Sequence, residues 1–486
     1  MKITNKNILK IASTILLVYF IMRLGDFANI ISFFPFDNIN DISSYMAQLY
    51  FLDVCGFHQF CPYWYNGFTS FLITAPGWYF ITYPLLKVSN VMVATFLSTV
   101  LAYVCGYSVI QYYGKRINLS REKLNIFFLL FFTNAIAIGN HIRRGRPHEL
   151  WAWVFFMIVM FIVLEYKEKK IDKRFYVIIP AYALTILTYP PVGIIASIGI
   201  GSIFLTKRPI KEYAKVLGSI VGSIALTTFW TIPFVKEITR SSALREVGDN
   251  LYRSLYINFS SYNLYTQTIL TLVPLTFLIS LVYYKKYTKE KITFFYPLII
   301  IAILVITRAI IFIPILSNMI EDIYIMSFLF LTLVITTKII DKVPLKRIAY
   351  ITILIISMLS VIVSATHTPF IPNQNTQAIQ EVKHLLERND GNFLFINGEN
   401  VFSSAVYSYA PIMYNITTPN GWYPHIKDRE YITKLQKEPE TCEEFHKKTK
   451  EFKIESIIAP KGRCKFIKEC GWKTTEEGEK FCLIEK

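Results

Sequence analysis

The chain has 486 residues, of which 53% are hydrophobic, 16% aromatic and only 17% charged. This composition is too apolar for a soluble protein of this length and predicts a polytopic membrane protein. The formal charge of +17 does not indicate a nucleic-acid partner, because the basic residues lie in short runs between apolar segments, where charge sets membrane topology. No Walker-type phosphate loop and no Gly-x-Gly-x-x-Gly motif occurs, which excludes nucleotide sites of those two types.

Eleven apolar runs predict the membrane-spanning helices. The first begins at Ile11, follows three lysines and continues past Arg23 and Asp26, which we expect to pair with each other on one face. No small-x-small cleavage pattern follows it, so we interpret it as a retained signal anchor. The other ten runs are 91–113, 124–140, 150–166, 175–189, 192–206, 216–235, 265–284, 292–307, 323–340 and 348–365.

Basic connectors separate these runs and define a topology. If every run crosses once, all the connectors lie on the side of the N-terminus, which the positive-inside rule predicts to be the cytoplasm. The segment 175–206, interrupted by Tyr189-Pro190-Pro191, is critical because a single crossing there would divide the connectors between two sides. We therefore predict two crossings. The connectors are 115–123, 166–174, 207–215, 285–291 and 338–347.

The predicted fold is an all-α polytopic membrane protein of about 11 transmembrane helices with a small C-terminal extracytoplasmic α/β domain. Residues 1–365 form the membrane domain, with an outer loop at 35–90, and residues 366–486 form the soluble domain. In the latter, helical spacing at 374–389 precedes three strand-like runs, at 393–396, 454–459 and 481–484. We expect the protein in the plasma membrane, with a cytoplasmic N-terminus.

Six of the seven cysteines fall on the outer side, and an even number there favours disulfides. Cys55 with Cys61 is the simplest pair, whereas the four cysteines of the tail permit three connectivities. A zinc site is the alternative for the tail, but it contains no Cys-x-x-Cys. The six candidates are Cys55, Cys61, Cys442, Cys464, Cys470 and Cys482.

Two aspartates of the first outer loop, Asp37 and Asp41, are candidates for chemistry. They stand four residues apart, so a helix over 37–52 would place both on one face with three polar side chains. The alternative is that Asp41 only caps the helix that follows it, since Asp is a preferred N-cap residue. The loop alone does not separate these two interpretations.

The loop 141–149, HIRRGRPHE, carries three arginines on the side where the charge rule predicts few. Arginine matches phosphate oxygens, and the flanking histidines add donors. Glu149 either orients an arginine or interacts favourably with the dipole of the helix that begins there. The alternative for the whole loop is pairing with phospholipid headgroups. The candidate phosphate ligands are Arg143, Arg144, Arg146, His141, His148, Glu149 and, at the end of another span, Arg308; Glu321 and Asp322 rank below them.

Two further outer features each allow two interpretations. The long loop 236–264 has mixed charge and is either a flap over the site or a solvated connector. A group of aromatic residues is expected to lie at headgroup depth, as an interfacial belt, in preference to stacking on a sugar. These residues are Trp64, Tyr65, Trp78 and Tyr79.

The first half of the chain resembles the GT-C class of polytopic glycosyltransferases, in particular its prokaryotic members with extracytoplasmic tails. The resemblance covers about residues 37–234 and rests on the first-loop aspartate, CGFHQFCPYWYNGF, TYPLLKV, the 145–149 loop, YPPVG and FWTIPF. It implies sugar transfer from a polyprenyl-phosphate donor to a glycan, lipid or protein acceptor on the outer face. The first-loop aspartate would act as base or as ligand of a divalent cation such as Mg²⁺ or Mn²⁺.

Carried over by position, that role falls on Asp41, with Asp37 second. The acids stand four apart as DNIND, whereas many members of the class have a tighter pair, and Tyr45 stands where related sequences often have histidine. We predict a membrane glycosyltransferase in which Asp41 acts on the acceptor hydroxyl and the arginine loop holds the lipid phosphate. The alternatives are a lipid or glycan transporter and a non-catalytic membrane scaffold, and no duplication typical of transporters surrounds Tyr189.

Overall fold

The computed structural model describes residues 4–238, 261–288, 290–398, 400–422, 426–427 and 429–486, so most of the loop 236–264 lies outside the described residues. Each of the eleven predicted apolar runs is helical. The helices up to residue 367 are α1 (Asn5–Phe33), α2 (Ile42–Val54), α3 (Gly77–Lys87), α4 (Val91–Arg116), α5 (Arg121–Phe132), α6 (Ala135–Ala137), α7 (Pro147–Tyr166), α8 (Ile178–Thr188), α9 (Pro190–Gly201), α10 (Ile210–Ile238), α11 (Ser261–Thr288), α12 (Tyr296–Ile306), α13 (Glu321–Ile339) and α14 (Lys346–His367).

Seven of these helices are long and apolar enough to cross a membrane: α1, α4, α7, α10, α11, α13 and α14. An eighth span results if α5 is joined, across a bend of 53°, to α6 and the π-helical turn Ile138–Arg143 that extends it. The remaining predicted spans correspond to α8, α9 and α12, which have only 11, 12 and 11 residues. Length and composition therefore support seven or eight spans among the described residues, fewer than the predicted eleven.

The helices α8 and α9 form an antiparallel hairpin with its tip at Tyr189. Tyr189 has an extended backbone (φ −153°, ψ 98°) between the two helices. A Cβ built on Gly193 would lie 3.4 Å from the Cα of Ile186, a distance that a continuous helix does not permit. At the open end of the hairpin, Arg208 Nη1 donates to the carbonyl of Lys169 at 2.8 Å. The chain thus reverses where Tyr189-Pro190-Pro191 interrupts the apolar run.

Ion pairs join the connectors at one end of the helix bundle, which we call the basic end. Lys6 pairs with Glu122 at 2.9 Å, so the N-terminus lies at this end too. The opposite end, which we call the site end, holds the first loop, the loop 141–149 and the C-terminal domain. All the predicted connectors thus share one end of the bundle. Further pairs at the basic end are Arg116–Glu165, Lys123–Asp341, Lys167–Glu290 and Lys338–Glu290.

The C-terminal part is a small α/β unit. The elements of the C-terminal unit are α15 (Gln377–Glu387), β3 (Phe393–Phe395), α16 (Ser403–Tyr414), α17 (Arg429–Gln436), α18 (Cys442–Glu451), β4 (Ser456–Pro460), α19 (Lys461–Glu469), β5 (Lys473–Glu477) and β6 (Phe481–Glu485), and the first loop holds β1 (Phe60–Cys61) and β2 (Phe68–Thr69). The sheet of the C-terminal unit has the order β3-β4-β6-β5, with β3 parallel to β4 and the other pairs antiparallel.

The predicted disulfides are confirmed: the pairs are Cys55–Cys61, Cys442–Cys470 and Cys464–Cys482.

The first loop packs tightly on the C-terminal unit, where α2 contacts α16. Trp64 Nε1 donates to the carbonyl of Tyr407 at 2.8 Å, and Thr418 N donates to the carbonyl of Tyr63 at 2.8 Å. The prediction of an interfacial aromatic belt is therefore wrong, because the four rings lie inside the protein. Trp64, Tyr65, Trp78 and Tyr79 are each at most 1% exposed.

Candidate active site

The aspartates of the first loop both precede helix α2, which begins at Ile42. The prediction that Asp37 and Asp41 share a helical face is wrong for that reason. Asp37 lies in a turn, where its Oδ1 accepts from the backbone N–H of Ile39 at 2.9 Å. Asp41 occupies the N-cap position, but its side chain makes no capping hydrogen bond. The capping interpretation therefore does not account for its carboxylate either.

The loop that carries the arginines owes its shape to a π-helical turn and a glycine. The turn Ile138–Arg143 contains the first of the arginines, and such turns occur frequently at functional sites. Gly145 follows with φ +67°, a conformation that L side chains rarely adopt. A Cβ at Gly145 would lie 2.5 Å from the Cβ of Ile42. Only glycine lets this loop approach the start of α2 so closely.

The close approach brings the predicted acids and arginines together. Arg146 Nε donates to Asp41 Oδ2 at 2.6 Å, and Arg143 Nη1 donates to Asp37 Oδ1 at 3.1 Å. The backbone N–H of Asp41 also donates to the carbonyl of Arg144 at 2.6 Å. Within the described residues no hydrogen bond reaches the second carboxylate oxygen of Asp41, whose side chain is 24% exposed. One oxygen of Asp41 is thus held in place while the other stays open.

Two of the predicted phosphate ligands lie in different settings. Arg144 is half-buried and, in the part of the chain that the structure describes, its guanidinium makes neither an ion pair nor a hydrogen bond. Arg308 donates instead to the carbonyl of Gln267 at 3.1 Å and to Thr271 Oγ1 at 2.9 Å, both on α11. Burial lowers the pKa of Arg308. Arg308 therefore does not join the arginine loop, whereas Arg144, whose carbonyl accepts from the backbone of Asp41, has Glu321 as the acid that interacts with its charge.

Behind the loop, Glu149 and Asp322 meet at Asn140. The Nδ2 of Asn140 donates to Asp322 Oδ2 at 2.9 Å and to Glu149 Oε1 at 3.2 Å. Glu149 is fully buried, and its Oε2 lies 4.0 Å from Nη1 of Arg146. Arg146 is therefore flanked by two carboxylates, those of Asp41 and Glu149. Glu149 is thus close to this arginine without a hydrogen bond to it, and the orienting role expected of Glu149 stays a prediction.

The two histidines of the loop face the protein interior. His141 is buried, with Nε2 at 3.9 Å from Glu149 Oε1. His148 Nε2 lies 3.4 Å from the hydroxyl of Tyr45, and its ring packs edge-on against Tyr189, with 5.0 Å between centroids. Tyr189 was not predicted as a site residue, although the YPP interruption of the apolar run marked its position. The tip of the α8–α9 hairpin is therefore part of the site wall.

The C-terminal unit supplies a further wall. Gln374 Oε1 accepts from the backbone N–H of Phe36 at 2.6 Å, and its Nε2 donates to Asp37 Oδ2 at 3.3 Å. A cleft of about 670 Å³ opens here between the first loop and the tail. No sequence pattern pointed to Gln374. The lining includes Asp37, Arg143, Asn373, Gln374, Gln377, Asn397 and Lys480.

The acids do not fit a divalent cation. Asp37 and Asp41 are each bound by a guanidinium, and Asp322 and Glu149 converge on the amide of Asn140. Among the described residues no group of three or more His, Cys, Asp or Glu side chains is arranged to hold a metal ion. We therefore assign no metal step to these residues.

The described chain thus combines a first-loop helix, a bent helix pair that leads to the arginine loop and a C-terminal α/β unit. Structures of the oligosaccharyltransferase of Archaeoglobus fulgidus share this fold. Its apo form matches with a TM-score of 0.55 at 11% identity, over 94% of this chain and 70% of the other. No protein-family model and no curated protein sequence matches the chain.

Two more structures of the same archaeal enzyme are similar. The one in complex with an inhibitory peptide and a dolichol-phosphate has a TM-score of 0.52 at 10% identity, over 95% of this chain and 70% of that chain. The one tethered to an acceptor peptide containing an NVT sequon has a TM-score of 0.55 at 11% identity, with the same coverage. At such low identities the likeness establishes the fold that the first-loop motifs predicted.

Proposed function

We propose that the protein is a membrane glycosyltransferase that moves a sugar from a polyprenyl-phosphate donor to an acceptor hydroxyl at the site end. The observation that carries this proposal is the pairing of Asp41 with Arg146, which fixes one carboxylate oxygen and leaves the other open. A carboxylate held in this way suits the positioning or deprotonation of an acceptor hydroxyl. In this role the open oxygen of Asp41 takes the proton of the hydroxyl.

The leaving group requires a cation, and Arg144 supplies one. In the proposed step the acceptor oxygen attacks the anomeric carbon, the bond from that carbon to the phosphate oxygen breaks, and polyprenyl phosphate leaves with the bonding electrons. Arg143 and Arg146 are already neutralised by Asp37 and Asp41. Within the described residues the guanidinium of Arg144 forms no ion pair, although Glu321 interacts with its charge, and we assign this guanidinium to the developing negative charge. No protein nucleophile is involved.

The shared fold supports both substrate classes. The archaeal oligosaccharyltransferase binds a dolichol-phosphate in one structure and an acceptor peptide in another. In this chain the cleft of about 670 Å³ beside Asp37 is open and polar enough for a hydroxyl-bearing acceptor. We leave the acceptor as a glycan, a lipid or a protein, and the donor as a lipid-linked sugar.

The test is transfer from a radiolabelled polyprenyl-phosphate hexose in membranes that contain the protein or its Asp41→Asn variant at equal levels. Because asparagine keeps the shape but cannot accept the proton, we expect transfer to fall by about 10²–10⁴-fold, the usual contribution of a general base. Release of polyprenyl phosphate is measured in parallel. Undiminished transfer by Asp41→Asn would refute the assignment.

A matched control is Asp53→Asn in the same loop. Asp53 pairs with Lys87 and is not in contact with the arginine loop. The variant carries the same chemical change as Asp41→Asn. Because Asp53 does not contact the arginine loop, we expect transfer at the level of the unaltered protein. Equal losses in both variants would indicate a folding defect of the first loop and would count against a chemical role for Asp41.

A further inference from the structure

The basic end of the bundle contains a large cleft that the proposed chemistry does not use. It has a volume of about 930 Å³ and lies where three connectors meet: the one after α7, the one between α9 and α10, and the one before α12. Its lining carries six cations and three acids. These charged residues are Lys167, Lys169, Lys170, Lys207, Arg208, Lys291, Glu168, Glu212 and Glu290.

The acids of the cleft are already neutralised. Glu290 is bound by Lys167 and by Lys338, the latter at 3.0 Å, and Glu212 accepts from Arg208 at 2.7 Å. Glu168 lies 3.9 Å from Lys167. The cleft therefore presents an excess of positive charge to any ligand that enters it.

Three lysines of the cleft have no such partner. Lys170, Lys207 and Lys291 are exposed, and none of them forms an ion pair with another described residue. Each comes from a different connector, so they surround the opening instead of following one helix. Three ammonium groups around one opening suit a phosphate ester, because each can donate to a different oxygen.

Exposed apolar side chains lie in the lining of the cleft and on the helix that follows it in the chain. Leu205 lines the cleft itself and is 48% exposed. Tyr296 and Ile300 follow on α12, one helical turn apart, and are 47% and 57% exposed. A ligand with a charged head and long apolar chains matches both surfaces, whereas a soluble anion would use only the first.

We propose that this cleft is a binding site for the headgroup of an anionic phospholipid, with the acyl chains along Leu205 and α12. Basic pockets between membrane helices at such a level bind phosphate-bearing lipid headgroups. The lipid would bridge the α8–α9 hairpin and α12, whose short helices contact each other. The site is at the opposite end from Asp41 and does not depend on the proposed transferase activity.

Native mass spectrometry of the full chain, released from nanodiscs of equal phosphatidylcholine and phosphatidylglycerol, tests this proposal. We expect the unaltered protein to retain one phosphatidylglycerol selectively. The triple variant Lys170→Ala, Lys207→Ala, Lys291→Ala should lose about 100-fold in retention, since three cations near an anionic headgroup contribute about 1 kcal/mol each. Equal retention of both lipids by the unaltered protein overturns the proposal even if the triple variant fails to fold.

The control removes the same charge from another part of the basic end. Lys342, Lys346 and Arg347 are exposed and lie outside the cleft. Their triple alanine variant should retain phosphatidylglycerol normally. The variant Lys170→Arg, Lys207→Arg, Lys291→Arg, which keeps the positive charges of the cleft, should also retain this lipid. If the control variant lost phosphatidylglycerol to the same extent, the effect would come from general surface charge, and the proposed site would be refuted. The proposal would also be refuted if millimolar glycerol phosphate displaced the bound lipid as effectively as added phosphatidylglycerol does, because the natural occupant would then be a soluble anion.

Discussion

The charge balance of individual arginines separates their roles more clearly than their position in the sequence does. Arg146 is flanked by Asp41 and Glu149, and Arg143 is paired with Asp37. A guanidinium that already neutralises carboxylates has less attraction left for a phosphate. Within the described residues Arg144 forms no ion pair, and the acid that interacts with its charge is the more distant Glu321. The three arginines, equivalent as a sequence cluster, thus divide into two that are paired with aspartates and one that is not.

Arg144→Gln should therefore slow transfer without unfolding the protein. Loss of a charge-assisted hydrogen bond costs about 1.5–3 kcal/mol, which corresponds to a fall of roughly 10–150-fold in kcat/KM for the donor. Because no partner of the Arg144 guanidinium is left unpaired, the Tm in detergent should stay unchanged. Steady-state kinetics with a polyprenyl-phosphate sugar measures the effect. A kcat/KM equal to that of the unaltered protein would exclude an interaction of Arg144 with the phosphate.

At the scale of elements, the site depends on how closely the arginine loop approaches α2. Gly145→Ala places a methyl group against Ile42 and strains a positive φ, so we expect the Asp41–Arg146 pair to separate. The strain alone costs about 1–3 kcal/mol. We predict a lower Tm together with a loss of transfer activity. The measurement is thermal unfolding in detergent alongside the transfer assay.

Gly218→Ala is the matched control for this prediction. Gly218 lies within α10, has no positive φ, and a Cβ there would meet no atom within 4 Å. Alanine is favoured over glycine in a helix by roughly 0.5–1 kcal/mol, so the Tm should be equal or slightly higher. If Gly145→Ala behaves like this control, the close contact with Ile42 does not set the geometry of the site.

Elements that depend on local composition were predictable from the sequence, and contacts between distant segments were not. The apolar runs became helices, and three strand-like runs of the tail became β3, β4 and β6, because burial of continuous apolar residues decides both. The alternating polar strand β5 was missed, since little apolar pattern marks it. The bond from Gln374 to Asp37 joins residues 337 positions apart, and no periodicity records such a contact.

At the scale of the whole molecule, the C-terminal unit is part of the site. Trp64 of the first loop is fully buried against it, and Gln374 holds Asp37. Trp64→Ala should therefore loosen the unit, because removal of a buried tryptophan costs about 3–5 kcal/mol. We expect limited proteolysis to release the tail faster. Phe60→Ala, at a ring that is 68% exposed in the same loop, is the control and should leave the cleavage rate unchanged.

The two ends of the bundle differ in charge, and this difference predicts their sides of the membrane. The basic connectors share one end with the N-terminus, and the positive-inside rule assigns that end to the cytoplasm. In a Cys105→Ser background, a cysteine at Lys486 should react with an impermeant maleimide in intact cells, because the tail then lies outside. A cysteine at Lys342, exposed at the basic end, should react only after permeabilisation. The opposite pattern would place Asp41 and the arginine loop in the cytoplasm and would rule out an acceptor on the outer face.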